Sequence, residues 1–305
     1  MTSKIHLVCG EPRVRAVLRA WLDRARLDPP IPLWIDVRLE EPPALTDDPR
    51  PVFRQPGVVV RAGPPGGGVH LTWETAAAVA EVHATKPMAW VTLSPSAAAR
   101  LDECAETFLV TVLIFLLRRA GWHHIHAATA VDPAGRGWLL AGDGHAGKST
   151  TTALLATQGW RVGTDDTAFL TSLSGGITAV AYRAPIALRP SGYRLLGQFG
   201  GTLLARRRKL GYWPEELGSR FQDRVVPDVI LFTSVGIGPT TATPLGAREC
   251  LAQLVRSSAW VMLEPDLAQP HLELLAGLAR QAKSYRVTLG RDLFARPTRL
   301  TELIA

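Results

Sequence analysis

The sequence predicts an α/β protein with a small α+β module at residues 1–95 and a larger second domain at residues 96–305. Three observations support this. A chain of 305 residues is long enough for two domains of roughly 100–200 residues each. Short apolar runs with strand periodicity recur along it between segments with helical periodicity. A glycine-rich run at residues 142–149 lies between a strand pattern and a helix pattern, which indicates a strand–loop–helix unit in the second domain.

The first module opens with a strand at residues 4–9 and a helix after Pro12. One face of that helix is apolar and is formed by Val14, Val17, Leu18, Trp21 and Leu22. The following segments are a period-two strand at 31–39, a Pro- and Asp-rich loop at 42–51, a hairpin of strands 58–61 and 69–73 with its tip at 63–68, and a strand at 89–93. A long helix at 96–120, stopped by Gly121, leads into the second domain.

The second domain opens with a hairpin of strands at residues 122–131 and 137–141. A helix is expected at 147–157. The predicted elements after it are strands at 161–164, 168–170, 177–182, 186–188, 229–232 and 286–289, helices at 246–258 and 270–283, and an irregular region at 190–224.

Composition narrows the class of protein. Apolar residues make up 47% and charged residues 20%, the balance of a folded globular chain. The N-terminus lacks the apolar core of a signal peptide, and the longest apolar stretch, 108–117, is shorter than the ~20 residues of a membrane span. We therefore expect a cytoplasmic protein with no membrane partner. Cys9, Cys104 and Cys250 form no CxxC pair, so we expect buried thiols.

The net charge of +7 and the pI near 9.8 raise the question of a polyanionic partner. The basic residues are spread along the chain, and the one dense cluster is at 206–209. A nucleic-acid site needs a continuous basic face, usually on a recognisable module, and neither is visible. We expect no nucleic-acid partner.

The glycine-rich run fits the pattern G-x-x-x-x-G-K-[ST] of a phosphate-binding P-loop. Its glycines let successive N–H groups turn inward onto a phosphate, and the following helix adds the positive end of its dipole. Lys148 can reach the β- and γ-phosphates, and the Ser149 hydroxyl can hold Mg²⁺. We expect ATP and Mg²⁺ as ligands, with nucleotide contacts from Gly142, Gly144, His145, Ala146, Gly147, Lys148, Ser149 and Thr150.

An acidic pair, Asp165–Asp166, follows a strand shortly after the P-loop helix. Beside a phosphate site, one carboxylate can bind Mg²⁺ and the other can take a proton from an attacking hydroxyl. A plain turn is the alternative, because aspartates favour turns. We expect Ser149, Asp165 and Asp166 to form the metal site.

Three histidines precede the P-loop hairpin: His123, His124 and His126. Alternation along a strand places His124 and His126 on one side and His123 on the other. The pattern H-x-H suggests a metal, yet no third ligand is evident, and a lone histidine in an apolar strand is usually a core residue. From the residues alone, both interpretations of His126 stay open.

The segment 125–170 resembles the catalytic domain of HPr kinase/phosphorylase and its related kinases. It shares with them a histidine on a strand, a hairpin, a GxxxxGKS loop, a helix ending in glycine and a strand leading to Asp-Asp. The strong resemblance covers about residues 122–170. It implies a P-loop domain of the PEP-carboxykinase type with a mixed sheet, preceded by the small α+β module.

The resemblance also implies an ATP- and Mg²⁺-dependent kinase that transfers the γ-phosphate to a serine-type hydroxyl of a protein, peptide or small molecule. At matching positions, Lys148 and Ser149 would bind phosphate and Mg²⁺. One of Asp165 and Asp166 would be the general base, with Asp165 favoured, and the other would support the metal. His126 would lie beside the acidic pair as a third catalytic residue with Asp165 and Lys148. A homo-oligomer is a further, weaker expectation.

Two departures from that family are visible. The acidic, glycine-rich segment expected after the Asp pair is replaced by residues 184–190, and the first module does not resemble the larger regulatory domain. These departures count against HPr as substrate and against reverse phosphorolysis, and both questions stay open. Arg183, Arg189 and Lys209 are candidates to neutralise the transferring phosphoryl group, and 209–214 is a candidate acceptor loop.

Three alternatives to a kinase remain open at this level. The first is a nucleotide hydrolase or switch whose first module binds a partner. The second is an ATP-sensing binding protein without turnover. The third is a carboxykinase-like enzyme, for which no substrate-site motif is visible.

Overall fold

The computed structural model describes residues 4–43, 51–55, 57–63, 68–74, 77–173, 176–197, 200–204, 209–258 and 263–304. The chain divides into two compact units. The first comprises Met1–His123 with Met262–Ala268, and the second comprises His124–Val261 with Gln269–Ala305. Each unit is α/β, and the sheets of both units mix parallel and antiparallel strands.

The first unit is built on one sheet. Its elements are β1 (Ile5–Cys9), α1 (Pro12–Ala25), β2 (Leu33–Leu39), β3 (Pro51–Gln55), β4 (Val58–Ala62), β5 (Val69–Trp73), β6 (Ala78–Val82), β7 (Met88–Leu93), α2 (Pro95–Ala98), α3 (Leu101–Cys104) and α4 (Val110–Arg119). Within the described residues the sheet has seven strands in the order β1-β2-β7-β6-β5-β4-β3. Strands β1, β2 and β7 are parallel, and the others are antiparallel.

The ends and the buried face of helix α1 follow from its local sequence. Pro12 occupies its first turn, where a missing N–H costs nothing, and Arg26 ends it in a left-handed conformation. The predicted apolar face is buried, except that Val17 is 39% exposed. Strands β3 and β6 were not predicted, and the tip of the hairpin between β4 and β5 includes residues 64–67, outside the described residues.

The segment predicted as one helix at 96–120 is interrupted. Two short helices, α2 and α3, precede a π-helical turn at Ala105–Leu109, and α4 follows. The hydroxyls of Thr107 and Thr111 donate to carbonyls four residues earlier, 2.7 and 2.8 Å away, a contact that often bends helices. Helix α4 packs on β6 and β7, so the first unit extends to His123, whereas the sequence-based boundary lay at residue 95.

The second unit contains the predicted P-loop. Its elements are β8 (His123–Val131), β9 (Gly137–Ala141), α5 (Lys148–Thr157), β10 (Arg161–Val162), β11 (Thr167–Leu173), β12 (Gly176–Ala181), β13 (Ile186–Leu188), α6 (Pro190–Leu195), β14 (Thr202–Leu204), β15 (Lys209–Tyr212), a 3₁₀ turn at Pro214–Leu217, β16 (Arg224–Val225), β17 (Pro227–Val235), β18 (Thr241–Leu245), α7 (Ala247–Arg256), α8 (Pro265–Gln281), β19 (Lys283–Leu289), α9 (Asp292–Ala295) and α10 (Arg299–Glu302). The first residues of β8 and α8 fall in the first unit.

In the described residues the main sheet of this unit has nine strands. The order is β16-β12-β11-β8-β9-β17-β19-β18, with β10 paired to β8. Strands β9, β17 and β19 are parallel, and β8 and β18 run antiparallel to their neighbours β9 and β19. The carboxyl ends of β9, β17 and β19 therefore share one edge of the sheet.

The two faces of this sheet carry separate apolar cores. Leu140 of β9 packs with Leu154 and Leu155 of α5, whereas the adjacent Leu139 packs with Leu254 of α7 and Leu275 of α8. Successive side chains of a strand point to opposite faces, so a buried strand needs apolar residues at every position. The result is three layers, with the predicted P-loop at the edge of the central one.

The described part of the region predicted as irregular, 190–224, contains regular elements. Strands β13, β15 and β14 form a small three-stranded sheet among the described residues, and α6 and β16 also lie here. The strand at 186–188 was predicted, whereas β14, β15 and β16 were not, because strands of two to four residues are too short to show a period-two pattern. The basic cluster at 206–209 lies outside the described residues except for Lys209.

Two expectations from composition can be checked. Cys9, Cys104 and Cys250 are free and buried, as predicted. In the described part of the chain, no helix combines the length and the apolar character needed to cross a bilayer.

Candidate functional site

The loop between β9 and α5 adopts backbone angles that require glycine at two points. Gly142 has φ of 145° and Gly147 has φ of 87°. A β-carbon at Gly142 would lie 2.7 Å from the Thr233 carbonyl oxygen, and one at Gly147 would lie 2.8 Å from Leu289 Cδ1. His145 also has a positive φ, 71°, which is uncommon for a residue with a side chain. Local strain of this kind clusters at ligand sites.

The Lys148 side chain forms hydrogen bonds with the backbone of this loop. Its Nζ donates to the carbonyls of Gly142 and Asp143 at 2.7 and 3.1 Å. The side chain is buried, and burial lowers the pKa of the ammonium, while the carboxylates of Asp166, Asp165 and Asp143 act in the opposite direction. A cation is thus held where the loop curves around it.

Helix α5 starts directly at the loop. Among the described residues no side chain caps its N-terminus. The first N–H groups of a helix lack partners within it, and the helix dipole adds positive potential there. Together with the Lys148 ammonium, this end of α5 has the features of an anion site.

The other predicted loop residues occupy distinct positions. The N–H of Ala146 donates to the Asp143 carbonyl at 3.2 Å, which tightens the turn. Gly144 has open space where a β-carbon would lie, as far as the described neighbours show. Thr150 lies against α6, because a β-carbon at Gly192 would come within 2.8 Å of its hydroxyl.

Asp165 lies between β10 and β11 and joins the loop to the acidic pair. Its Oδ2 accepts from the Ala187 N–H at 3.1 Å, and hydrogen bonding with the nearby Ser149 side chain also lowers its pKa. Only 5% of the residue is exposed. Burial and the adjacent charge of Asp166 raise the pKa of Asp165, and the two hydrogen bonds oppose that rise.

Two threonines that were not predicted as site residues form hydrogen bonds with the turn that carries Asp165 and Asp166. Thr164 Oγ1 accepts from the N–H groups of Asp166 and Thr167 at 3.3 and 3.2 Å. Thr129 Oγ1 accepts from the Thr164 N–H at 3.3 Å. The position of Thr164 directly before the Asp pair could have indicated this role, because a threonine hydroxyl often accepts from the N–H two or three residues later in the chain.

His126 of β8 faces Asp166. Its Nδ1 lies 3.1 Å from Asp166 Oδ1. Burial lowers the pKa of His126, although the charge of Asp166 raises it and that of Lys148 lowers it. A neutral ring in this geometry donates its Nδ1–H to the carboxylate, which fixes the tautomer.

The other two histidines have different surroundings. His123 and His124 are buried, and the ring of His124 meets Phe169 edge-on with centroids 6.0 Å apart. Over the described ranges, no group of three or more His, Cys, Asp or Glu side chains is arranged to hold a metal ion. The H-x-H pattern therefore belongs to no such group.

Two of the three predicted cations lie at this site. The Arg189 guanidinium donates to His145 Nε2 at 3.2 Å, and the charge of Lys209 acts on both Asp165 and Lys148. Arg183 belongs to another cluster. Its guanidinium lies 4.5 Å above the Trp213 ring and 3.1 Å from Glu215.

A separate surface cavity of about 380 Å³ lies between the β8–β9 turn, the end of α5 and residues 218–220. None of the predicted site residues lines it. The chemistry described above is concentrated at the sheet edge that carries the loop at residues 142–147, so we assign the candidate site there.

A search of the solved structures gives distant structural likenesses. One of them is to the Hpr(Ser) kinase/phosphatase from Coxiella burnetii, which is 12% identical with a TM-score of 0.31, over 59% of this chain and 92% of that one. No protein-family model matches the chain, and no curated protein matches it.

Proposed function

We propose that the protein is an ATP- and Mg²⁺-dependent kinase that transfers the γ-phosphate to a hydroxyl of a protein, peptide or small molecule. The observation that carries the proposal is the proximity of the acidic pair to the loop: Asp166 lies 3.1 Å from His126, and the charges of both carboxylates act on the buried Lys148 ammonium. A loop suited to phosphate therefore lies next to a carboxylate suited to a metal. Phosphoryl transfer needs these groups within one site.

The residues present fit ATP with Mg²⁺. The uncapped N-terminus of α5 and the Lys148 ammonium suit the β- and γ-phosphates. Ser149 and Asp165 supply a hydroxyl and a carboxylate oxygen, the ligand types that Mg²⁺ prefers, with phosphate and water to complete its shell. When bound, Mg²⁺ would neutralise charge on the phosphate oxygens.

The contacts favour a division of roles that differs from the sequence-based preference for Asp165 as base. Asp165 is buried and bonded to Ser149, which suits a residue that holds or orients a metal ligand. The side chain of Asp166 is 47% exposed, so an acceptor from solvent can reach it. We assign Asp166 as the general base and His126 as the residue that orients it.

The proposed step uses the chain's own groups as follows. Asp166 takes the proton of the acceptor hydroxyl as its oxygen forms a bond to the γ-phosphorus. The bond between that phosphorus and the β–γ bridging oxygen breaks, and ADP leaves with the electron pair. Lys148, Arg189 and Lys209 are the cations in place to offset the charge that develops on the phosphoryl oxygens.

The hydrolase alternative keeps the same site with water as the acceptor. An open Asp166 would serve water as well as an alcohol, so only an acceptor experiment separates these two.

The test is transfer of γ-labelled phosphate from ATP with Mg²⁺ to pooled peptides, free serine and HPr, with Asp166→Asn as the control. Label on an acceptor, lost in the variant, is the expected result. Label released only as inorganic phosphate would replace the kinase with a hydrolase or switch. Tight ATP binding with no turnover on any acceptor would favour an ATP sensor.

A further inference from the structure

Two exposed apolar residues lie at and just after the end of β17, the strand next to the one that leads into the P-loop. Ile237, in the segment after β17, is fully exposed, and Val235 at the end of β17 is 65% exposed. A β-carbon at Gly147 would lie 3.2 Å from Val235 Cγ2, so this side chain borders the loop itself.

The segment that carries Ile237 is firmly held. The N–H of Gly236 donates to the Leu289 carbonyl at 3.0 Å, and both the N–H and hydroxyl of Thr240 donate to Asp292 Oδ1 at 2.8 and 2.7 Å. The N–H of Gly290 donates to Thr240 Oγ1 at 3.0 Å. A β-carbon at Gly290 would lie 2.2 Å from the Gly238 carbonyl oxygen. Ile237 is therefore presented to solvent by a braced turn.

The strand order of the sheet indicates how a bound nucleotide would be oriented along it. Strand β9, which leads into the P-loop, lies between β8 and β17. The acidic pair is tied to β8 through His126 and Thr129. A triphosphate whose γ end meets that pair extends its other end toward β17 and β19. Their carboxyl ends share the P-loop's edge, and β17 runs on to Val235, beyond the Phe232 that pairs with Ala141.

We propose that Ile237, with Val235, forms the contact surface for the purine base of the bound nucleoside triphosphate. This rests on the proposed nucleotide binding and names its specificity element. The base face is apolar and gains from being covered by an aliphatic side chain. An aliphatic side chain contacts the face of the base and not its hydrogen-bonding edge. The contact should therefore increase the affinities for ATP and GTP equally.

The experiment compares three ligands that share a triphosphate, two with a purine base and one without. Affinities for ATP, GTP and inorganic tripolyphosphate, each with Mg²⁺, are measured by calorimetry for the wild type, Ile237→Asn and Val226→Asn. Val226 is 52% exposed and precedes β17, at the opposite edge of the sheet, so it is a matched apolar-to-polar control. Val235→Thr, nearly isosteric, is the second variant.

We expect Ile237→Asn to weaken ATP and GTP roughly ten-fold and to leave tripolyphosphate unchanged. Val226→Asn should change none of the three. Unchanged ATP affinity in both Ile237→Asn and Val235→Thr would overturn the base contact and leave the P-loop assignment intact. Equal losses for ATP and tripolyphosphate would overturn it by showing an effect on the loop. A wild type that binds none of the three ligands would refute the proposed nucleotide binding, and this inference with it.

Discussion

His126 and Asp166 are joined across two elements of the second unit, with Nδ1 of the histidine 3.1 Å from Oδ1 of the aspartate. The histidine comes from β8 and the aspartate from the turn before β11. In this contact one carboxylate oxygen of Asp166 faces the imidazole, and the Asp166 side chain is still 47% exposed. A carboxylate held in one orientation at a solvent-facing position has the geometry of a general base.

Asp166→Asn should lower the rate of phosphoryl transfer about 10²–10⁴-fold, because an amide cannot take the acceptor's proton. Affinity for ATP with Mg²⁺ should change little. Stopped-flow or label-transfer kinetics measure the rate, and calorimetry measures the affinity. His126→Gln, which keeps a donor but loses the ring, should show a smaller loss. A double variant no slower than Asp166→Asn alone would show that the two act as one unit.

Asp165→Asn tests the other half of the acidic pair. Loss of the carboxylate that accepts from Ser149 should raise the Mg²⁺ concentration needed for half-maximal activity roughly 10–100-fold. Activity should return at high Mg²⁺, in contrast to Asp166→Asn. Activity lost at every Mg²⁺ concentration would reverse the two assignments and restore Asp165 as the base.

Gly163 supports the turn that carries both aspartates. A β-carbon there would lie 2.4 Å from Thr129 Oγ1, 2.5 Å from the Gln222 carbonyl oxygen and 2.7 Å from Ala181 Cβ. Gly163→Ala should therefore lower the free energy of unfolding by about 1–3 kcal/mol, the usual cost of overpacking. Gly10→Ala is the control, since the described atoms leave open space there. Equal stability of the two variants in urea would refute the close packing.

Stability should fall in mild acid because of His123. Burial, aided by the Arg118 guanidinium, lowers the pKa of His123 from 6.5 to about 4. Below pH 6.5 the unfolded chain takes up a proton at this residue that the folded chain does not, so folding weakens as the pH falls toward 4. The full loss is about 3 kcal/mol.

Urea unfolding at pH 7 and pH 5, followed by Trp fluorescence, measures the larger part of that loss, since the full loss is reached only below pH 4. His123→Gln should reduce the difference between the two pH values. The same substitution at His70, which is half-buried in the same unit, should leave the difference as in the wild type. A wild-type stability that does not change between pH 7 and pH 5 would contradict the burial of a neutral His123.

Local patterns predicted the strand–loop–helix unit around residues 142–149, because glycine placement and apolar runs are properties of neighbouring residues. They also predicted that the Asp pair follows β10. They could not reveal that Thr129 supports this pair or that Arg189 meets His145, because these contacts join residues 35 and 44 positions apart. The π-helical turn at Ala105–Leu109 coincides with hydrogen bonds from threonine hydroxyls to backbone carbonyls, a feature that helical periodicity does not reveal.

The central claim is that the loop at residues 142–149 binds the phosphates of a nucleotide through Lys148. Calorimetric titration of ATP with Mg²⁺ into wild type, Lys148→Ala and Lys283→Ala tests it most directly. Lys283 is exposed and starts β19 at the opposite edge of the same sheet, so it removes an equal charge elsewhere. The account predicts binding by the wild type and Lys283→Ala and at least ten-fold weaker binding by Lys148→Ala. Equal affinity in all three proteins would contradict it.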